Sequence, residues 1–354
     1  GVTSGGGAEF ESILIHEMGH QFGSPHTFNG TTGNCDMSNI SPSTAYETGS
    51  GTTIMSYAGI CGSQNVQSNR DLYFHQKSLQ MMWDNITSGN SQCARLTPTL
   101  NSTPTSNAGA SHTIPIGTPY KLTGGSTDAD GINTHTYTWE QYDLGPAGVP
   151  AVTTTTGPIV RSFPPKFSPI RYIPRLEDYV SNVNASTTWE KLVILPRQMN
   201  FRLTVRDNDV RGGQVAVDDM IINTIDSGGV FNITSQNTAG IVYMGGTDQN
   251  VTWNVAGTTG SGINTANVNI LLSIDGGLNF NTILLSNTAN DGLANVTIPN
   301  ISAANCRIMV EAVGSVFYNI NSMNFEIGAS LNLGEEDFLG NLSIYPNPNK
   351  GEFN

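Results

Sequence analysis

The residues with the chemistry to act on a substrate are concentrated in one run of eleven: His16-Glu17-Met18-Gly19-His20-Gln21-Phe22-Gly23-Ser24-Pro25-His26. On a helix, side chains four apart project from one face, so His16 and His20 aim two imidazoles at a common point. Gly23 can break the helix with a positive φ, and the chain then turns back so that His26 supplies a third nitrogen. Three imidazoles that leave a fourth position open are the donor set of a catalytic zinc rather than a structural one. Glu17 lies beside the histidine pair without being a ligand, placed to take a proton from water and pass it to a leaving amine. The expected cofactor is therefore Zn2+. His75 is expected to have a structural or helix-start role, and His112 and His135 are assigned none.

Positioning these groups requires a helix over Glu9 to Phe22, stopped at Gly23. A second helix is expected over Gln76 to Asn85, with Leu79, Met82 and Trp83 on its apolar face. Beyond residue 97 the pattern changes. A Ser/Thr/Asn/Pro-rich linker fills 98–106. Short strands broken by Gly, Pro and Asp-Gly turns then follow, among them Thr136-Tyr137-Thr138-Trp139 and Phe201-Arg202-Leu203-Thr204-Val205 over 107–226. Asn250 to Val255 and Val268 to Ile274 belong to a second such unit over 227–328, and Asp275-Gly276-Gly277 is a hairpin-type turn. Each unit has the length of an Ig-like or fibronectin-like sandwich.

The extended histidine motif resembles that of the metzincin metalloproteases, with Phe22-Gly23 similar to the reprolysin-like branch and His26-Thr27-Phe28 to the pappalysin-like branch. Thr53-Ile54-Met55-Ser56-Tyr57-Ala58-Gly59 resembles the Met-turn. The resemblance covers roughly residues 1–95. It implies that Met55 is an apolar floor beneath the metal, that Tyr57 is a reversible ligand or oxyanion helper, and that Ala58 to Ser63 line the S1′ pocket. Thr27 stands where many reprolysins carry Asp, a departure that touches the branch and not the chemistry. Family catalytic domains also have a subdomain before the active-site helix, and only 15 residues precede His16, so the resemblance implies a domain cut through, with weak zinc binding or no activity in this chain. The expected fold is thus multidomain: 1–97 is the C-terminal part of an α+β metzincin catalytic domain, mainly α, followed by two all-β Ig-like or fibronectin-like sandwiches.

Bulk properties bound the setting. The 354 residues carry a net charge of −13 and only 12% charged side chains, while 37% are hydrophobic. Such a chain can fill several small cores, and it lacks the clustered Lys and Arg that nucleic acid requires. No apolar run spans a bilayer. Of the four cysteines, a structural disulfide is expected among Cys35, Cys61 and Cys93, and Cys306 is expected to be a small buried hydrophobe.

Ser126-Thr127-Asp128-Ala129-Asp130-Gly131 places Asp128 and Asp130 in one turn, and Asp207-Asn208-Asp209 and Asp218-Asp219 add further carboxylates. Oxygen-rich loops of this kind can hold Ca2+ between Ig-like strands. The stretch from Asp130 to Trp139 is loosely similar to PKD or cadherin-like repeats. Leu342-Ser343-Ile344-Tyr345-Pro346-Asn347-Pro348-Asn349-Lys350-Gly351-Glu352-Phe353 resembles the start of a type IX secretion sorting domain, within a 329–354 tail. That resemblance implies the type IX secretion machinery as a partner and a secreted or bacterial cell-surface location. Taken together, the expectation is a secreted zinc endopeptidase acting on protein or peptide substrates. The competing expectation is a surface adhesion protein with a vestigial protease domain, and the presence of Glu17 argues against it.

Overall fold

The computed structural model describes residues 8–36, 38–93, 95–182 and 185–329. Helix α1 spans Ala8–Gln21 and α2 spans Gln76–Thr87. Most of the chain between them forms turns and loops, so this segment is loop-rich rather than mainly α. The reason is compositional: Gly, Ser, Thr and Asn fill residues 23–75, and these residues favour turns over helix. A Schellman arrangement ends α1, with Ser24 N–H donating to the Gly19 carbonyl (2.9 Å) and Gly23 N–H to that of His20 (3.0 Å). Gly23 has φ of 92°, the left-handed conformation that this cap needs. At the start of α2, Nδ1 of His75 accepts from Lys77 N–H at 3.1 Å, which confirms a helix-start role for His75.

The rest of the described chain is mostly β. In the first unit the strands are β1 (His112–Pro115), β2 (Tyr120–Thr123), β3 (Thr136–Gln141), β4 (Ile170–Ile173), β5 (Arg197–Arg206) and β6 (Val215–Ile225). A short helix α3, Leu176–Ser181, was not foreseen from the sequence. One sheet has the order β1-β6-β5-β3, and β2 pairs with β4 in a second. Met199, Phe201, Leu203 and Val205 alternate inward along β5 and meet Leu122 and Ile173 of the small sheet in one core. The second unit comprises β7 (Asn232–Ile233), β8 (Val242–Met244), β9 (Asp248–Asn254), β10 (Asn267–Ser273), β11 (Thr282–Ala289), β12 (Leu293–Thr297), β13 (Ala303–Ala312), β14 (Tyr318–Ile320) and β15 (Phe325–Gly328). Its sheets run β11-β10-β13-β15-β8, with β14 on β13, and β12-β9-β7. Each unit contains one parallel pair, β1 with β6 and β15 with β8.

The segments are joined by specific contacts. Lys121 N–H donates to the Val316 carbonyl and Tyr318 N–H to that of Pro119, which extends β2 onto the second unit. Lys121 Nζ lies 2.8 Å from a Glu311 carboxylate oxygen at the same junction. The first segment rests on the first β unit through Glu140 of β3. Its Oε2 accepts from Gln76 N–H at 2.9 Å, and the carboxylate is fully buried. Arg206 also donates to the Phe74 carbonyl (3.0 Å), and Thr52 Oγ1 to that of Ser162 (3.3 Å).

The calcium expectation is not supported. Asp128 lies 3.4 Å from Nε2 of His135, which thereby gains a role the sequence did not suggest. Asp130 accepts from Ser102 N–H and pairs with Arg211 at 3.1 Å. Asp209 is also taken by Arg211, and Asp219 by Arg202. Carboxylates already matched to arginine or histidine side chains do not offer a free oxygen cage. The sorting-domain resemblance over 342–353 lies outside the described residues.

Candidate metal centre

His16, His20 and His26 are brought together, each offering one nitrogen within 4.8 Å of the others. Nε2 of His20 lies 3.1 Å from Nε2 of His16 and 3.1 Å from Nε2 of His26. Two nitrogens bound at about 2.05 Å to one tetrahedral zinc stand roughly 3.3 Å apart, so the spacing suits that ion.

The other ring nitrogens fix the tautomers. Nδ1–H of His16 donates to the Ile54 carbonyl at 2.7 Å, that of His20 to Ser24 at 2.8 Å, and that of His26 to Asn39 at 2.6 Å. With the proton on Nδ1 in each ring, all three Nε2 atoms carry lone pairs, and all three point at one spot. Three lone pairs at that range repel unless a cation lies among them, so the donor set fits a metal ion. Burial holds His16 down at about 3 and also lowers His26, so both rings are neutral at physiological pH, as ligands must be.

The segment around Met55 performs the positioning. The Ile54 carbonyl orients His16, and the Met55 carbonyl accepts from Thr27 N–H at 3.1 Å, next to His26. Met55 is fully buried, and its Sδ lies where a Cβ on Gly19 would come within 2.4 Å. Gly19 therefore lets the methionine pack against α1 between His16 and His20. The Tyr57 ring lies 4.4 Å from that of His26 and stacks on Phe28 at 4.7 Å. Glu17 is half-buried on α1, and its negative charge acts upward on both His26 and Tyr57, against the larger effect of burial on His26.

Two residues of the site escaped the sequence reading. Glu47, 1% exposed, accepts from Thr27 Oγ1 (2.6 Å), Thr53 Oγ1 (2.5 Å), Thr52 N–H (2.8 Å) and Thr53 N–H (3.1 Å). One carboxylate thus ties the loop segment bearing His26 to the turn bearing Met55. Its signal was in plain view: between Asp36 and Arg70 it is the one residue of the Asp, Glu, Lys, Arg or His types. The second is Arg70, whose Nε donates to the Ser56 carbonyl at 2.8 Å. Cys35 and Cys61, both fully buried, form a disulfide behind Phe28, while Cys93 and Cys306 are free thiols. Burial pushes the Cys306 thiol up to about 11, which fits the inert core residue expected.

Among solved structures, the chain is similar to one described as the structural basis for Dscam isoform specificity, at 10% identity over 66% of this chain and 48% of that one, with a TM-score of 0.18. Chicken CNTN1 FN1-FN3 domains match at 11% identity over 62% and 65%, with a TM-score of 0.21. Drosophila N-cadherin EC1-4 matches at 8% over 64% and 51%, again with a TM-score of 0.21. The chain spans about half the length of the Dscam structures. No curated protein matches it. Residues 1–84 match the family model for metallo-peptidase family M12B, reprolysin-like, so the segment in which the three histidines converge is of the metallopeptidase type.

Proposed function

We propose that this protein is a secreted zinc-dependent endopeptidase. The observation that carries the reading is the convergence of three Nε2 atoms whose Nδ1–H groups are each tied to a backbone carbonyl. Zinc held there supplies the positive charge that polarises a peptide carbonyl and acidifies a nearby water. Glu17 takes the proton from that water onto a carboxylate oxygen and returns it to the departing amine nitrogen. Tyr57, beside His26, is placed to donate its hydroxyl proton to the carbonyl oxygen as negative charge develops. Met55 and Gly19 hold the histidine pair at fixed spacing from below.

Two features support export from the cytoplasm. One is the buried Cys35–Cys61 disulfide, since such bonds persist in oxidising compartments. The other is the resemblance of 342–353 to a sorting domain. Glu17→Gln in the full-length protein is the direct test. It is expected to lower kcat on unfolded protein substrates by at least about 10²-fold while bound zinc remains. Unchanged cleavage in that variant would reject the mechanism.

A further inference from the structure

A groove of about 430 Å³ lies between α2 and β6, and its walls contain none of the metal-centre residues. Gln76, Leu79, Gln80 and Trp83 form one side. Their spacings of three and four put them on one face of the helix. Val215 and Val217, two apart on β6, form the other side. Trp83 belongs to the apolar face that the sequence predicts for α2, yet it is 64% exposed and leaves a broad aromatic surface open in the groove. Two amides beside it have fixed orientations. Oε1 of Gln76 accepts from the Arg202 guanidinium at 2.8 Å, and arginine only donates, so Nε2 is the other end of this amide. Gln76 is 3% exposed, and its Nε2 meets no acceptor among the described residues. Nε2 of Gln80 donates to the Asp84 carboxylate at 2.9 Å, which leaves Oε1 of Gln80 as an acceptor. One turn of α2 therefore offers a donor and an acceptor, with the indole of Trp83 three residues beyond. No charged side chain lines the groove.

We propose that this groove binds a neutral, β-linked pyranose chain, with one sugar ring stacked on Trp83. A pyranose whose hydroxyls are equatorial presents C–H groups on its faces, and these meet the negative face of the indole. Each hydroxyl both donates and accepts, so neighbouring hydroxyls satisfy Gln76 Nε2 and Gln80 Oε1 together. A buried donor without a partner is costly, and a sugar oxygen in the groove removes that cost. The pattern is that of a small-molecule site, an apolar surface with a few placed polar groups. Neutral walls suit a neutral glycan. An acidic one finds no cation in them and meets a chain of net charge −13. An apolar peptide side chain would cover Trp83 but leave the Gln76 donor unmatched. The site binds and does no chemistry, so it does not depend on the peptidase reading.

Calorimetry on the full-length protein tests this with cellohexaose and chitohexaose as neutral probes, hexagalacturonate as an acidic one, and an uncharged Leu/Gly peptide. At least one neutral oligosaccharide is expected to bind with a Kd of about 1 mM or below, and to shift tryptophan emission to the blue as the indole is covered. Hexagalacturonate should bind at least about tenfold more weakly. Trp83→Ala removes an exposed side chain and should weaken the neutral sugar by at least about tenfold. Gln76→Leu should weaken it as well. Because Gln76 is buried, its Tm is measured alongside, and Gln80→Ala, at a half-exposed position, gives a second reading of the polar contact if Gln76→Leu fails to fold. Absence of binding by both neutral oligosaccharides overturns the proposal. So does unchanged affinity in Trp83→Ala, equal affinity for hexagalacturonate, or tighter binding of the peptide. None of these readouts involves cleavage, so failure here leaves the peptidase reading standing, and failure of that reading leaves this site.

Discussion

At the scale of single residues, the centre depends on groups that never touch a substrate. Glu47 gathers four donors from Thr27, Thr52 and Thr53 in a fully desolvated position. Glu47→Ala leaves those donors unsatisfied, at a cost of about 3 kcal/mol, and loosens the seat of His26. Thermal denaturation should show a lowered Tm, and a competitive chelator titration a zinc affinity weaker by about 10- to 100-fold. Glu47→Gln, which keeps one acceptor oxygen, should fall between the two. The contrast between Glu17 and Glu47 shows what a sequence reveals at this scale. The position of Glu17 follows from helical spacing with His16 and His20, a local relation. The partners of Glu47 on its far side lie twenty residues upstream, and only the folded loop brings Thr27 to it. Asp128 and Asp130 failed in the opposite direction. Paired acids in a turn read alike whether they hold a cation or, as here, His135 and Arg211.

At the scale of elements, α1 and the Met55 turn act as one packed unit. Gly19→Ala places a methyl group on the Met55 thioether, which overpacks the floor of the site. The expected loss is about 1–3 kcal/mol in urea denaturation, with reduced zinc occupancy at limiting metal. The Cys35–Cys61 bond closes the loop that carries Asn39, the acceptor for His26. Replacing both cysteines by serine should cost about 3 kcal/mol. Comparison of Tm values under oxidising and reducing conditions checks this, and an unchanged Tm on reduction would contradict it. The two helices were legible because periodicity and caps are local: α1 starts and stops within one residue of expectation, and α2 runs two residues further. The strands Thr136–Trp139 and Phe201–Val205 were legible for the same reason. The loop-rich course of 22–75 was not, because its order comes from Glu47, the disulfide and backbone contacts rather than from periodicity.

At the scale of the whole molecule, the metal-centre segment and the β units are mechanically coupled. Glu140 belongs to β3 yet accepts the first amide of α2 and lies 3.8 Å from His75. The nearby Arg206 is half-buried, and the Glu140 carboxylate acts to hold its charge. Glu140→Ala should therefore cost about 3 kcal/mol or more and lower zinc retention, although the residue belongs to another unit. Fluorescence from Trp83, in α2, and from Trp139, in β3, should report that loss in one shared transition; a shift confined to one of them would refute the coupling. Sequence composition marked where the chain turns from loops and helices to strands, but gave no sign of the joint, since Glu140 reads as an ordinary outward residue of an alternating strand.

The central claim, a zinc seated by three neutral imidazoles through Nε2, is tested most directly by zinc K-edge X-ray absorption on the full-length protein with its metal content measured in parallel. The account predicts one zinc per chain, with three imidazole nitrogens at about 2.0–2.1 Å, and loss of that signal in His26→Ala. Zinc bound without imidazole in its shell, or equally well after His16, His20 and His26 are all replaced by Ala, would contradict it.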